Sequence, residues 1–470
     1  MFIFVVMFHT VIFMAQLFKI KKGLDINLEG KPQEIKNQPI HSDYYTVFPD
    51  DFRGFLPKVA VKQGDKLLAG TPVLFDKNRP EVKVTSPVSG EIEAVNRGEK
   101  RKLLSIVVKA DEKISYKDFG KKEIKGLSPE AVKLTLADAG VFAFIRQRPY
   151  DIVANPNDTP RDIFVSGFYS APLAPDADFI LEGQEHDFQT GLDALATLTT
   201  GNVYLGIRCR DTARPVPTYN NVQTIIFNGP HPVGNVGVQI NHIQPLNKGE
   251  IVWTIDPANV LFIGRLFNKG VADFSRLIAL TGSEVKAEDR AYYPALPGVN
   301  IADWIKNRIQ PGNEPLRIIS GNVLTGTRIS SNGSLHAFDN QLTIIPEGDE
   351  THEFLGWITP GFDKFSVSRT FPAFILKALT KKKYTIDARI KGGPRTMIMS
   401  NEWNKVFPMD ILPEFLIRAI LAQDIDKMEN LGIYEVAPED FALCEFVDTS
   451  KMELQKIVRE GLDWLYKEMA

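Results

Sequence analysis

Short apolar runs cut by turn residues open the main body of the chain. Val59 to Leu74 reads as two such runs, with Gly64-Asp65 and Gly70-Thr71-Pro72 as the turns between strands. Thr85 to Val95 and Leu103 to Lys109 continue the pattern, so residues 19–115 are expected to form a compact β block. The period then changes. Ser128-Pro129-Glu130 offers an N-cap, a proline at the first helical position and an acid in the first turn. Ala131, Leu134 and Ala137 would share one face of the helix that follows. Ile163–Val165, Asn202–Ile207 and Val222–Phe227 read as buried strands and Glu185–Leu198 as a helix. Strands alternating with helices over residues 120–248 predict a parallel or mixed sheet with crossover helices. Residues 250–360 again read as strands, with a short helix from Ile301. Residues 361–470 read as helical and close on Glu453–Glu468, whose buried face carries Ile457, Leu462 and Leu465. The fold class is therefore α/β multi-domain, α+β overall.

Composition narrows the function classes. At 44% hydrophobic and 24% charged the chain is ordinary globular protein, and a net charge of −3 argues against a nucleic-acid footprint. Cys209 and Cys444 are the two cysteines, too few for a disulfide framework or for a zinc or iron–sulfur site built from Cys alone. Met1–Phe18 is uncharged and just reaches the length of a membrane-spanning helix, but it lacks the n-region and cleavage site of a secretory signal. It reads better as an extension ahead of a true start at Met14; if real, Lys19, Lys21 and Lys22 behind it leave the main body in the cytoplasm. No G-x-G-x-x-G follows any expected strand. Asn228–Gly237 is glycine-rich, yet two prolines remove backbone donors from it. His231 and His242 lack a third metal ligand nearby and are expected to be loop and turn histidines.

Several segments carry resemblances. Gly64-Asp65 followed by Ser86-Pro87-Val88-Ser89-Gly90 resembles the barrel-sandwich fold of biotinyl and lipoyl carrier domains. Lys77 and Lys83 fall near its central hairpin, but Asp76–Pro80 does not match an acceptor motif, and both are expected to be solvated. Residues 250–360 resemble the soluble-ligand-binding β-grasp domain. Five motifs then point one way: Lys22–Ile26, Asp138-Ala139-Gly140 with Arg146-Gln147-Arg148-Pro149, Gly229–Gly234, Leu280–Ser283 and Ile319–Gly326. Together they resemble the A-subunit family of the bacterial sodium-translocating NADH:quinone reductases. More distantly they resemble the C subunit of the Rnf complex and the flavin-binding subunit of complex I.

The resemblance implies a Rossmann-like unit over residues 120–248 and a ferredoxin-like helical remnant over residues 361–470. It implies a peripheral, quinone-binding scaffold subunit on the cytoplasmic face of the bacterial inner membrane. Its partners would be the B to F subunits of a complex that oxidises NADH, reduces ubiquinone and exports Na+. By itself the chain would not be catalytic. The Rnf relative holds two four-iron clusters on cysteines. The positions in register here are Met397, Ser400, Trp403 and Phe407, then Pro438, Phe441, Cys444 and Asp448, so no Fe–S cluster is expected. Phe144–Pro149 fills with side chains the place where flavin-binding relatives are expected to be glycine-rich, so no FMN is expected. A quinone head needs an apolar slot with a few donors, and Phe142, Phe144, Arg146 and Arg148 offer those types together; the alternative is core aromatics and internally paired arginines. A flavin-binding electron-transfer subunit of the Rnf type and a non-catalytic β-grasp ligand-binding module are the competing functions.

Overall fold

The computed structural model describes residues 16–209, 218–312, 315–349, 364–367 and 382–469. Residues 1–15, and with them the start at Met14 and the reading as a membrane span, lie outside these. The end of that apolar run is not helical: Leu17–Lys19 is strand β1. Among the described residues no helix is long and apolar enough to cross a membrane.

Strands β2 (Tyr44–Val47), β3 (Pro57–Val59), β4 (Lys66–Leu67), β5 (Pro72–Asp76), β6 (Lys83–Thr85), β7 (Gly90–Arg97) and β8 (Leu103–Ala110) build the N-terminal block. They form a four-stranded sheet in the order β2-β8-β7-β4 and a three-stranded sheet in the order β3-β5-β6. Val73, Val84, Val88, Ile92, Ile106 and Val108 are all buried in its core, each stabilising by roughly 1.5–3 kcal/mol.

A seven-stranded sheet is the centre of the molecule. It joins β1 to β9 (Arg146–Arg148), β10 (Ile152–Val153), β11 (Ile163–Ser166), β12 (Val203–Arg208), β13 (Gln223–Asn228) and β14 (Val252–Ile255), in the order β1-β13-β12-β11-β14-β9-β10. The five strands from β1 to β14 run parallel, and β9 runs antiparallel to β14. The sheet thus takes in a strand from before the barrel and one from beyond residue 248. All four β14 residues are buried, and such a strand needs neighbours on both edges. Helices Glu185–Ala196 and Pro257–Lys269 pack tightly against each other: a Cβ on Gly264 would lie 1.7 Å from the Asp187 carbonyl oxygen, and one on Gly191 2.3 Å from that of Val260. The sheet divides the core. Ile163, Val165, Leu205, Trp253 and Ile255 join the cluster shared with these helices and the barrel. Phe164, Tyr204, Phe227 and Val252 face the other way, into the cluster formed with the C-terminal helices.

Helix Pro129–Asp138 forms as its N-cap dictates, with Ser128 Oγ accepting from the Ala131 amide at 3.2 Å. Its buried residues are Val132, Thr135, Leu136 and Ala137. Val132 and Leu136 point inward at i and i+4, and Leu134 is 60% exposed; several of its apolar side chains could have served either face, and packing selects the pair that reaches the core.

Strands β15 (Arg276–Thr281), β16 (Tyr292–Ala295), β17 (Leu316–Ser320), β18 (Thr327–Ile329) and β19 (Gln341–Pro346) form a mixed sheet in the order β16-β15-β19-β17-β18, in which only β15 and β19 are parallel neighbours. Helices Trp403–Val406, Pro413–Leu421, Ile425–Asn430, Ala442–Val447 and Leu454–Met469 close the chain. In the last of these Leu454, Val458, Leu462 and Leu465 are buried, and Ile457 is half-buried.

Candidate functional site

The loop from Asp138 to Pro149 lies where the barrel, the central sheet and the C-terminal helices meet. Gly140 adopts φ 75°, and a Cβ there would meet Thr85 Oγ1 of the barrel at 2.5 Å. Thr85 donates to the Ala139 carbonyl at 3.0 Å, and Lys83 Nζ reaches Asp138 at 2.6 Å. The glycine therefore answers a close approach of two units, and Lys83 pairs with the loop instead of standing free.

The four expected quinone contacts occupy three different environments. Phe142 is buried edge-on to Trp253, with centroids 5.5 Å apart. Phe144 is buried among Phe52, Phe262, Phe274 and Phe338, at 5.2–5.7 Å. Arg148 is fully buried; it donates to Asp440 at 2.9 Å and to the Glu435 carbonyl at 2.8 Å. Arg146 alone keeps a third of its side chain exposed. Its guanidinium lies 4.3 Å from the centre of the Phe338 ring and 3.6 Å from Asp151. Tyr150 and Asp151 hold left-handed backbone at φ 77° and 50°, an uncommon state for residues other than glycine. Arg459, from the last helix, pins that turn by donating to both carbonyls, at 2.7 and 3.2 Å.

On either side of Phe338 in the chain stand groups with no sequence motif. His336 stacks on Phe48 at 4.4 Å and bonds Asp51 through Nδ1 at 2.6 Å. Burial alone would lower the imidazole, and the hydrogen bond and charge of Asp51 outweigh it, so His336 titrates above its ordinary value. Asp339 accepts from Ser320 Oγ at 2.6 Å, and burial pushes it up to about 6. These residues come from segments hundreds of positions apart, and only their burial and partners single them out. Chemically the partly exposed Arg146 guanidinium over the Phe338 ring offers a donor beside an aromatic face, types suited to a flat ring bearing carbonyl oxygens.

The positions in register with cluster cysteines pack on one another. Trp403 Nε1 donates to Asp448 at 3.1 Å, Phe407 and Phe441 lie 5.0 Å apart, and Cys444 Sγ sits 4.0 Å from the Trp403 carbonyl oxygen. Burial pushes the Cys444 thiol well up. Among the described residues no group of three His, Cys, Asp or Glu side chains could hold a metal ion. His242 lies in helix Val236–Ile243, where Nδ1 donates to the Val238 carbonyl at 2.8 Å. His231 is buried, with Nδ1 2.9 Å from Ser170 Oγ, and desolvation lowers it to about 4.

Three family models match the chain: an NqrA N-terminal barrel-sandwich hybrid domain over residues 18–111, an NqrA second alpha/beta domain over 127–272, and an NQRA C-terminal domain over 277–331. The chain is similar to the A subunit of the Na(+)-translocating NADH-quinone reductase of Yersinia pestis bv. Antiqua (strain Angola), at 35% identity over 459 residues, 96% of this chain and 100% of that one. The corresponding proteins of Haemophilus influenzae (strain PittEE) and Pasteurella multocida (strain Pm70) match at 35% and 33% over 455 residues, 96% of this chain and 100% of theirs. A solved NAD+-reducing [NiFe]-hydrogenase in the air-oxidized state aligns at a TM-score of 0.36 and 11% identity, covering 70% of this chain and 63% of that one.

Proposed function

The chain belongs to the A-subunit family of the Na(+)-translocating NADH-quinone reductases, and from that premise we propose that it acts as the peripheral, quinone-binding scaffold of such a complex. The complex would oxidise NADH, reduce ubiquinone to ubiquinol and export Na+. This chain would assemble with the B to F subunits on the cytoplasmic face of the membrane, without catalysing the reaction alone. The observation that carries the reading is end-to-end similarity: 35% identity over 96% of this chain and all of the relative. The relatives carry the quinone-reductase name, which favours this function over a flavin-binding protein of the Rnf type. The finer fold reading goes with it: a Rossmann-like central unit, a β-grasp-like unit on β15–β19 and a ferredoxin-like helical remnant without clusters.

Within the chain the quinone head would lie at the edge of the aromatic cluster. Arg146 would supply the donor. Phe144, behind Phe338, would form the apolar wall, and Phe142 and Arg148 would hold β9 in place from within. The partial exposure of Arg146 over Phe338 supports this assignment. Two experiments test it. Complex purified from cells lacking this chain should regain quinone reduction when the chain is added back, and full activity without it would refute the assembly role. Arg146→Ala should weaken saturable quinone binding about tenfold, the worth of one charge-assisted hydrogen bond, with the unfolding midpoint unchanged. An unaltered affinity would remove Arg146 from the site.

A further inference from the structure

A cavity of about 680 Å³ opens at the carboxyl ends of β11 and β12, away from the aromatic cluster. In an open parallel sheet that end is where ligands bind. Neighbouring strands part here: the chain leaves β11 for β12 on one side, and β14 flanks β11 on the other. The segment after β11, Gly167–Asp178, forms one wall, and residues 25–28 form another. Tyr384 donates to the Asn27 carbonyl at 2.8 Å, which brings Lys383 to the rim.

Two features of this cavity point to an anion. First, Lys31, Arg208 and Lys383 line it, all exposed, and no ion pair or hydrogen bond engages their side chains among the described residues. Two of the facing carboxylates are occupied: Asp25 accepts from the His231 amide at 2.9 Å, and Asp176 caps the short helix after it through the Asp178 amide at 2.9 Å. Second, the amide N–H groups of Phe168, Tyr169, Ser170 and Ala171 donate to no group among the described residues. Their neighbours are satisfied: Gly167 donates to Gly206, Ala174 to Ala171, and Asp176 to the Tyr292 hydroxyl. The glycine-rich turn nearby offers no such donors, because the amides of His231, Val233, Gly234 and Asn235 are all spent within the fold. Consecutive unpaired amides beside cations make a concavity that receives oxyanions. Leu28, Phe168 and Leu173 add apolar lining, and the volume suits a small organic ligand.

We propose that this cavity binds a phosphate-bearing small molecule of mononucleotide size. Its phosphate would lie against the Phe168–Ala171 amides and the Arg208 guanidinium, with its ring over Phe168 and Leu173. The site is separate from the quinone contacts, so it stands or falls independently of them.

Titration of the full chain with ADP, inorganic phosphate and phosphatidylglycerol vesicles, followed calorimetrically, tests this. ADP should bind saturably and less tightly as salt rises. Arg208→Ala and Lys383→Ala should each weaken it about tenfold, Arg208→Lys should recover part of the loss, and the unfolding midpoints should match the parent's. No saturation by about 10 mM ADP, or an affinity in both alanine variants unchanged from the parent's, would overturn the proposal. So would inorganic phosphate binding as tightly as ADP, or binding to vesicles alone.

Discussion

Arg148 is the residue whose removal should harm this protein most. Its guanidinium is 1% exposed and meets Asp440, itself wholly buried, at 2.9 Å. It also donates to the Glu435 carbonyl at 2.8 Å and approaches Glu439 at 3.3 Å. Taking Arg148 away leaves the buried Asp440 carboxylate without its cation, with the Ala437 amide as a remaining donor at 2.8 Å. Breaking a buried pair on one side costs about 3–5 kcal/mol, most of it the desolvation of the abandoned charge. Arg148→Ala should therefore lower the stability of the chain by about that amount. Urea unfolding followed through Trp403, which lies in the same buried cluster as the Asp440 helix neighbours Phe441 and Cys444, would read it. The double variant Arg148→Met/Asp440→Leu removes both members of the fully buried pair, leaving Glu439 alone without its partner, and should recover much of the loss. A cost below about 1 kcal/mol for the single variant, or a double variant no better than the single, would refute the reasoning.

Three further outcomes follow from the geometry. Gly264→Ala should separate helices Glu185–Ala196 and Pro257–Lys269, since the new methyl would fall on the Asp187 carbonyl oxygen; a loss of about 1–3 kcal/mol is expected, and an unchanged urea midpoint would contradict it. His231 is neutral and buried, lowered to about 4 from an unfolded value near 6.5. The unfolded chain thus binds the extra proton first, and stability should fall by about 3 kcal/mol as pH drops from 6.5 to 4; His231→Gln should flatten that slope. Asp339 has the opposite sign. Raised to about 6, it binds its proton more tightly when folded, so its contribution is lost as pH rises from about 4 to 6, by at most about 3 kcal/mol. Asp339→Asn should abolish that decline, and a decline of equal size in the variant would sink the assignment.

Much of the architecture was legible in local pattern. Strand β11 falls within a residue of its expected bounds, and Ser128 caps its helix as read. Pairings between distant segments were not legible. β1 finds its partner across 209 positions, from Leu17 to Ile226. Asp51 meets His336 across 285, and Arg148 meets Asp440 across 292. Arg146 and Arg148 show the limit well. They are the same residue type two positions apart on one strand, yet one is buried in an ion pair and the other lies a third exposed over a ring. Only the helices that close over β9 distinguish them, and those come from the far end of the chain.

The stretch around β1 bears on how the molecule is made. Leu24 donates to the His231 carbonyl, Glu29 to Tyr384, and Gly23 to Lys405, while Gly282 donates back to Gly30. Within this strap the latest-made partner follows 382 residues behind, from Gly23 to Lys405. At roughly 5–20 residues per second that interval is about 20–80 s. The strap can therefore pair with β13 well before its Lys405 contact is available. A pause late in translation would leave it hanging beside a half-built sheet, so codon choice ahead of residue 403 should govern how much of the newly made chain reaches its final form.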